Sequence, residues 1–134
     1  MAVVSQYHGA FVARQRRPAK VSYPNTYATA DEASKDPLKW RFNCAQRAHS
    51  NYLENLAVFL PTFLASSVLH PIAASVFGAI WLTGRIVYAH GYASSKHGST
   101  SGRFKGFWYN IGQVGVILTA GWSAWEVYSA HKGI

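Results

Sequence analysis

Residues 52–93 read YLENLAVFLPTFLASSVLHPIAASVFGAIWLTGRIVYAHGYA, and this stretch decides the fold. It holds two formal charges, Glu54 and Arg85. A membrane-spanning helix needs about 20 predominantly apolar residues, so there is room for two. His70-Pro71 divides the stretch. Proline is favoured in the first turn of a helix and disfavours helix in the residue before it, so the break reads as a tight helical hairpin. Downstream, residues 106–130 hold one formal charge, Glu126, and are long enough for a third span.

The composition fits this reading. The chain has 134 residues, 49% hydrophobic and 13% charged, about half the charged share of a soluble domain. Its mean hydropathy of −0.02 averages apolar spans with basic loops. A soluble bundle would have to cover these helices on every side, and too little chain remains to do so. The net charge of +8 flanks the spans and belongs to no nucleic-acid module, so a nucleic-acid partner is not expected. The single cysteine, Cys44, excludes an internal disulfide framework.

The basic residues also sort by loop. Arg14, Arg16, Arg17, Lys20, Lys35, Lys39 and Arg41 precede the first span, against Asp31, Glu32 and Asp36. The turn at His70 has no formal charge, and residues 94–105 carry Lys96, Arg103 and Lys105 with no acid. Basic loops face the cytosol, so the first and third connections are expected there and His70 on the opposite side. The N-terminus is mildly apolar but includes Gln6 and His8. Thirteen helical residues reach only about 20 Å against a hydrocarbon core of about 30 Å, so residues 1–13 read as half a span or an interfacial helix. They lack the basic leader and apolar core of a signal peptide.

No Walker loop, dinucleotide-binding glycine motif, zinc-protease motif or nucleophile elbow occurs. Six histidines (His8, His49, His70, His90, His97, His131) are scattered without metal-ligand spacing, and no metal is expected. What remains is ionisable chemistry at the membrane, where a charge in a span is a functional hypothesis by default. At 100° per residue, Arg47, Asn51 and Glu54 fall within about 60° of one another on a helix, as do Arg85, Tyr88 and Tyr92 on the next. Such stripes suit a small ligand with carboxylates and an amine. They equally suit an internal salt bridge of Arg47 or Arg85 with Glu54 that only holds helices together.

The motif Phe42-Asn43-x-x-Gln46-Arg47-Ala48-His49-x-Asn51-x-x-Glu54, followed by Gly84-Arg85-x-x-Tyr88-x-x-Gly91-Tyr92, resembles the membrane-associated proteins in eicosanoid and glutathione metabolism. With Tyr23-Pro24-x-x-Tyr27-Ala28-Thr29 in the first loop, the likeness is to the microsomal glutathione S-transferase 3 type, over about residues 8–130. The resemblance implies an all-α integral membrane bundle: three full transmembrane helices (about 41–69, 71–94 and 103–131) plus a truncated first helix (about 1–17) of a four-helix family fold. Residues 18–40 and 95–102 would be cytosolic loops of one membrane domain. It also implies a homotrimer in the endoplasmic reticulum or nuclear envelope membrane. Glutathione would be the co-substrate, and a lipophilic electrophile or lipid hydroperoxide would enter from the membrane lipids.

Carried over residue by residue, Arg47 resembles the arginine that binds a glutathione carboxylate. Asn51 and Glu54 resemble the residues holding the peptide backbone and amino group, with His49 inside the same motif. Arg85, Tyr88 and Tyr92 resemble the third-helix contacts, and Arg17 (or Arg16) the arginine ending the first helix. Arg103 resembles the arginine that stabilises the thiolate. A free thiol, with pKa near 8.5, is mostly protonated at neutral pH, and a neighbouring guanidinium favours the reactive thiolate.

The chain departs from the family pattern in three places. Position 55 is Asn where some members have Tyr, the loop from Tyr92 to Arg103 is longer than in leukotriene-forming members, and much of the first helix is missing. The resemblance therefore also admits a non-catalytic lipid-binding or scaffold member, or an inactive shortened product. Blander expectations attach to Cys44 (packing), Pro61 (a helix kink), Gly112 and Gly115 (close helix contact), and Trp108, Trp122 and Trp125 (interface anchors).

Overall fold

A computed structural model describes residues 1–133. The chain is all-α: α1 (Ala2–Ala19), α2 (Ala30–Lys35), α3 (Pro37–Leu69), α4 (Pro71–Ala93), a 3-10 turn (Ser101–Gly106) and α5 (Tyr109–Lys132), with no strand among the described residues. It is a helical membrane bundle. α3 and α4 are long and apolar enough to cross a bilayer. α5, with 24 residues, spans about 36 Å at 1.5 Å per residue, but Gln113 and Glu126 interrupt its apolar sequence.

The chain forms two compact units. The first comprises Met1–Leu53 with Arg85–Phe107. Its core joins Phe11 and Val12 of α1 to Phe42, Ala48 and Tyr52 of α3 and to Tyr88 and Ala89 of α4. α1 runs further than the 13 residues read as a half-span: its 18 residues continue through Pro18 to a left-handed cap at Lys20. A proline in the last turn removes only one backbone donor. Arg16 secures the exit by donating to the Val21 and Asn25 carbonyls at 3.3 and 2.7 Å.

The stretch read as a cytosolic loop contains α2, which opens with a capping box. The Thr29 hydroxyl accepts from the Glu32 N–H (3.2 Å), and the Glu32 carboxylate accepts from the Thr29 N–H (3.0 Å). Lys39 also donates to Glu32. That bond first, and those from Thr29 second, hold the Glu32 carboxyl down at about 2. Asn43 ties the segment to α3 with a two-bond fork: its Oδ1 accepts from the Ala28 N–H and its Nδ2 donates to the Ala28 carbonyl, both at 2.9 Å.

The second unit comprises Glu54–Gly84 and Trp108 onward. Phe59 stacks on Trp81, centroids 3.9 Å apart, and Gly78 admits the Phe63 ring, so α3 and α4 run antiparallel here. α5 packs on α4 through glycines. A Cβ at Gly112 would come within 2.6 Å of the Trp81 backbone nitrogen, and one at Gly115 would enter the Phe77 ring. Small residues let membrane helices approach to this distance. His70 Nε2 lies 3.0 Å from Glu126 Oε2, and the Trp122 indole donates to Glu126 Oε1 at 2.8 Å. The outward faces are apolar, Leu118 being 68% exposed, as suits contact with lipid.

Candidate functional site

The polar residues of the first unit form a chain of contacts. Arg85 of α4 is fully buried. Its Nη1 and Nη2 both donate to Asn51 Oδ1 on α3 at 3.0 Å. Its guanidinium stands 5.0 Å from the Tyr88 ring centroid and 5.8 Å from that of Tyr52, where an aromatic face attracts a cation. Tyr88 meets Tyr92 edge to face at 5.8 Å. Around the Tyr92 hydroxyl, Arg47 and Arg103 bring positive charge, Arg103 within hydrogen-bonding reach.

Arg47 and Tyr92 open on a cavity of about 330 Å³. α2 (Ala30, Ala33) and Tyr27 in the segment leading into it supply one wall, α3 supplies Trp40, Asn43 and Cys44, and Thr100 comes from the loop after α4. The Asn43 fork and a 2.8 Å contact of His97 Nε2 with the Ala33 carbonyl hold this roof in place. Cys44 is buried against it.

The two stripes therefore play different parts. Arg47 is exposed, whereas Asn51 and Arg85 are engaged with each other inside the bundle. Glu54 stands one turn beyond Asn51 on α3 and is exposed. His49 faces His8 at 6.1 Å between ring centroids. Arg103 sits in the 3-10 turn, before α5 rather than in its first turn, and caps the Phe104 ring at 5.1 Å. Of the two arginines ending α1, Arg16 is committed to the loop and to the Tyr23 and Phe42 rings, 4.3 and 4.6 Å away. Arg17 is exposed.

Three residues escape sequence reasoning. His8 is 1% exposed and stacks on Tyr52 at 4.4 Å. Tyr7 hydrogen-bonds His90. Trp40 lines the cavity. Their type and spacing carry no signal, because each acquires its place only from tertiary packing. Among the described residues, no three His, Cys, Asp or Glu side chains are grouped to hold a metal ion.

The profile of the MAPEG family matches residues 1–125. A 52-residue stretch is 46% identical to a protein of Synechocystis sp. named as uncharacterized protein sll1147; the match covers 38% of this chain and 38% of that protein.

Proposed function

The chain belongs to the MAPEG family, and from that premise we propose that it is a membrane glutathione transferase of the microsomal type 3 kind. This family includes glutathione transferases and related eicosanoid enzymes, and its members generally form trimers. On this reading the glutathione thiolate attacks a lipophilic electrophile, forming a thioether. With a lipid hydroperoxide, two glutathiones yield the disulfide, the lipid alcohol and water. The protein works as a homotrimer in the endoplasmic reticulum or nuclear envelope membrane, with its basic loops in the cytosol.

One observation supports the reading above the rest. Arg47, Arg103 and Tyr92 converge beside a cavity while Asn51, Arg85 and Tyr88 brace Tyr92 from within. Two guanidiniums near one phenol make an electropositive corner suited to an anion, and a guanidinium's planar fork suits a carboxylate. Arg103, beside Tyr92, is the candidate for stabilising the thiolate, and Arg47 for holding a carboxylate. Asn51 and Arg85 contribute by positioning; Glu54, His49 and Arg17 complete the set on the strength of the resemblance. Membrane placement holds a water-soluble thiol beside a lipid-soluble acceptor.

The test is glutathione binding and sedimentation of the detergent-purified chain. Arg47→Ala removes a charge-assisted bond of about 1.5–3 kcal/mol and should weaken binding by roughly tenfold to a hundredfold, with the trimer intact. Unchanged affinity in a trimeric Arg47→Ala protein refutes the binding role. Loss of the trimer or of folding supports the structural salt bridge instead.

A further inference from the structure

Two glycines stand immediately before the two side chains that meet, Tyr92 and Arg103. Gly91 lies in the last turn of α4, and Gly102 in the 3-10 turn. Their backbones touch. A Cβ at Gly91 would collide with the Gly102 carbonyl oxygen, and one at Gly102 with the Gly91 carbonyl oxygen. Ser95 closes this contact. Its hydroxyl donates to the Gly91 carbonyl and accepts from the Gly102 N–H, both at 3.1 Å, so one side chain uses its donor and an acceptor on two backbones at once. Ser94 also reaches the Gly91 carbonyl, at 3.5 Å, but the bond that crosses to the 3-10 turn is the one Ser95 accepts from Gly102.

This clasp bears on where Arg103 stands. A 3-10 turn is short and its hydrogen bonds are poorly aligned, and seven residues (94–100) separate this one from α4. Tying the backbone of residue 102 to that of residue 91 lets the Arg103 and Tyr92 side chains start from one fixed separation. A displacement of about 1 Å in a reacting arrangement can cost roughly a hundredfold in rate. We propose that Ser95 is a positioning residue: by tying Gly102 to Gly91 it holds the Arg103 guanidinium where it stabilises the glutathione thiolate. The inference rests on the thiolate role given to Arg103 above and deepens it by naming what sets that arginine's place.

The test reads the thiolate itself, from the ultraviolet absorbance of glutathione bound to the full chain in detergent as the pH is raised. Ser95→Ala removes the hydroxyl and should lower the thiolate fraction at neutral pH about tenfold. Calorimetry with S-methylglutathione, which has no ionisable thiol, should show unchanged affinity. In an Arg103→Ala background, Ser95→Ala should add no further loss, because Ser95 acts through that arginine. Ser95→Thr keeps the hydroxyl and should retain the thiolate. Should Ser95→Ala lower the melting temperature, Ser95→Val set against Ser95→Thr, a pair of one shape, isolates the hydroxyl. An unchanged thiolate fraction without the hydroxyl, weaker binding of S-methylglutathione, a further loss in the Arg103→Ala background, or a Ser95→Thr protein as impaired as Ser95→Ala overturns the role of Ser95. If Arg103→Ala alone leaves the thiolate unchanged, the role of Arg103 falls and this inference with it, while glutathione binding stands. If the wild-type chain binds neither peptide, the glutathione reading itself falls.

Discussion

Asn51→Leu should destabilise the protein far more than any change at exposed Arg47. Arg85 is fully buried, and Asn51 Oδ1 accepts from both of its terminal nitrogens at 3.0 Å. A hydrogen bond to a charged group contributes about 1.5–3 kcal/mol. The two bonds share one oxygen, so their worth is less than double. Stripping a buried charge of a partner costs about 3–5 kcal/mol, and the added leucine surface offsets about 1 kcal/mol. A net loss of about 3 kcal/mol corresponds to a fall of roughly 10–15 °C in the melting midpoint of a chain this size. Differential scanning fluorimetry in one detergent measures it, with Arg47→Ala as the exposed control. Asn51→Leu combined with Arg85→Leu should recover part of the loss, because no guanidinium is then left short of the Asn51 acceptor. An Asn51→Leu midpoint within about 2 °C of wild type would show that the pair does not hold the unit together.

Three further outcomes are expected. Gly112→Ala should lower the melting midpoint, because its Cβ would collide with backbone atoms of Phe77 and Trp81, whereas Gly121→Ala on the same helix meets open space and should be neutral or stabilising; equal effects would contradict the α4–α5 packing. Arg103→Ala should cut turnover and shift the onset of activity to higher pH, since loss of the cation raises the thiol pKa, while Lys105→Ala does neither; an unchanged profile moves the thiolate role to Arg17, since Arg16 is engaged by the loop. In sealed vesicles of a Cys44→Ala background, cysteines at Lys35 and Lys96 should label from the cytosolic side and one at His70 should not; labelling of position 70 from that side inverts the topology.

The class of fold was legible because a bilayer imposes a coarse rule: scarcity of charge over 20 residues, as in residues 52–93, marks a span whatever its neighbours are. Helical register likewise put Arg85, Tyr88 and Tyr92 on one face, and in the structure each touches the next. Register could not say which face turns inward. Asn51 shares a stripe with Arg47, yet one is engaged by Arg85 inside the bundle and the other borders a cavity. α1 was hard to read because Pro18 and its polar residues signal a break. Burial of His8, Phe11 and Val12 against the other helices, together with the Arg16 anchor, outweighs that local signal. Trp40 had no signal at all, since its place beside the cavity depends on lining residues distant in sequence, Tyr27 and Thr100 among them.

The link between α3 and α4 bears on how the protein enters the membrane. α3 ends at Leu69 and α4 begins at Pro71, so His70 alone separates them. With so short a link the two helices must partition into the bilayer together, as one body. An arginine at the centre of a lone helix is unfavourable by about 2.5–3.5 kcal/mol on insertion scales. Within the hairpin, Arg85 has its Asn51 acceptor on the neighbouring helix and need not face lipid unaccompanied. The leading tip is apolar helix with one imidazole, which keeps the barrier to translocation low. It also leaves the tip of this hairpin with no loop for another protein to grip.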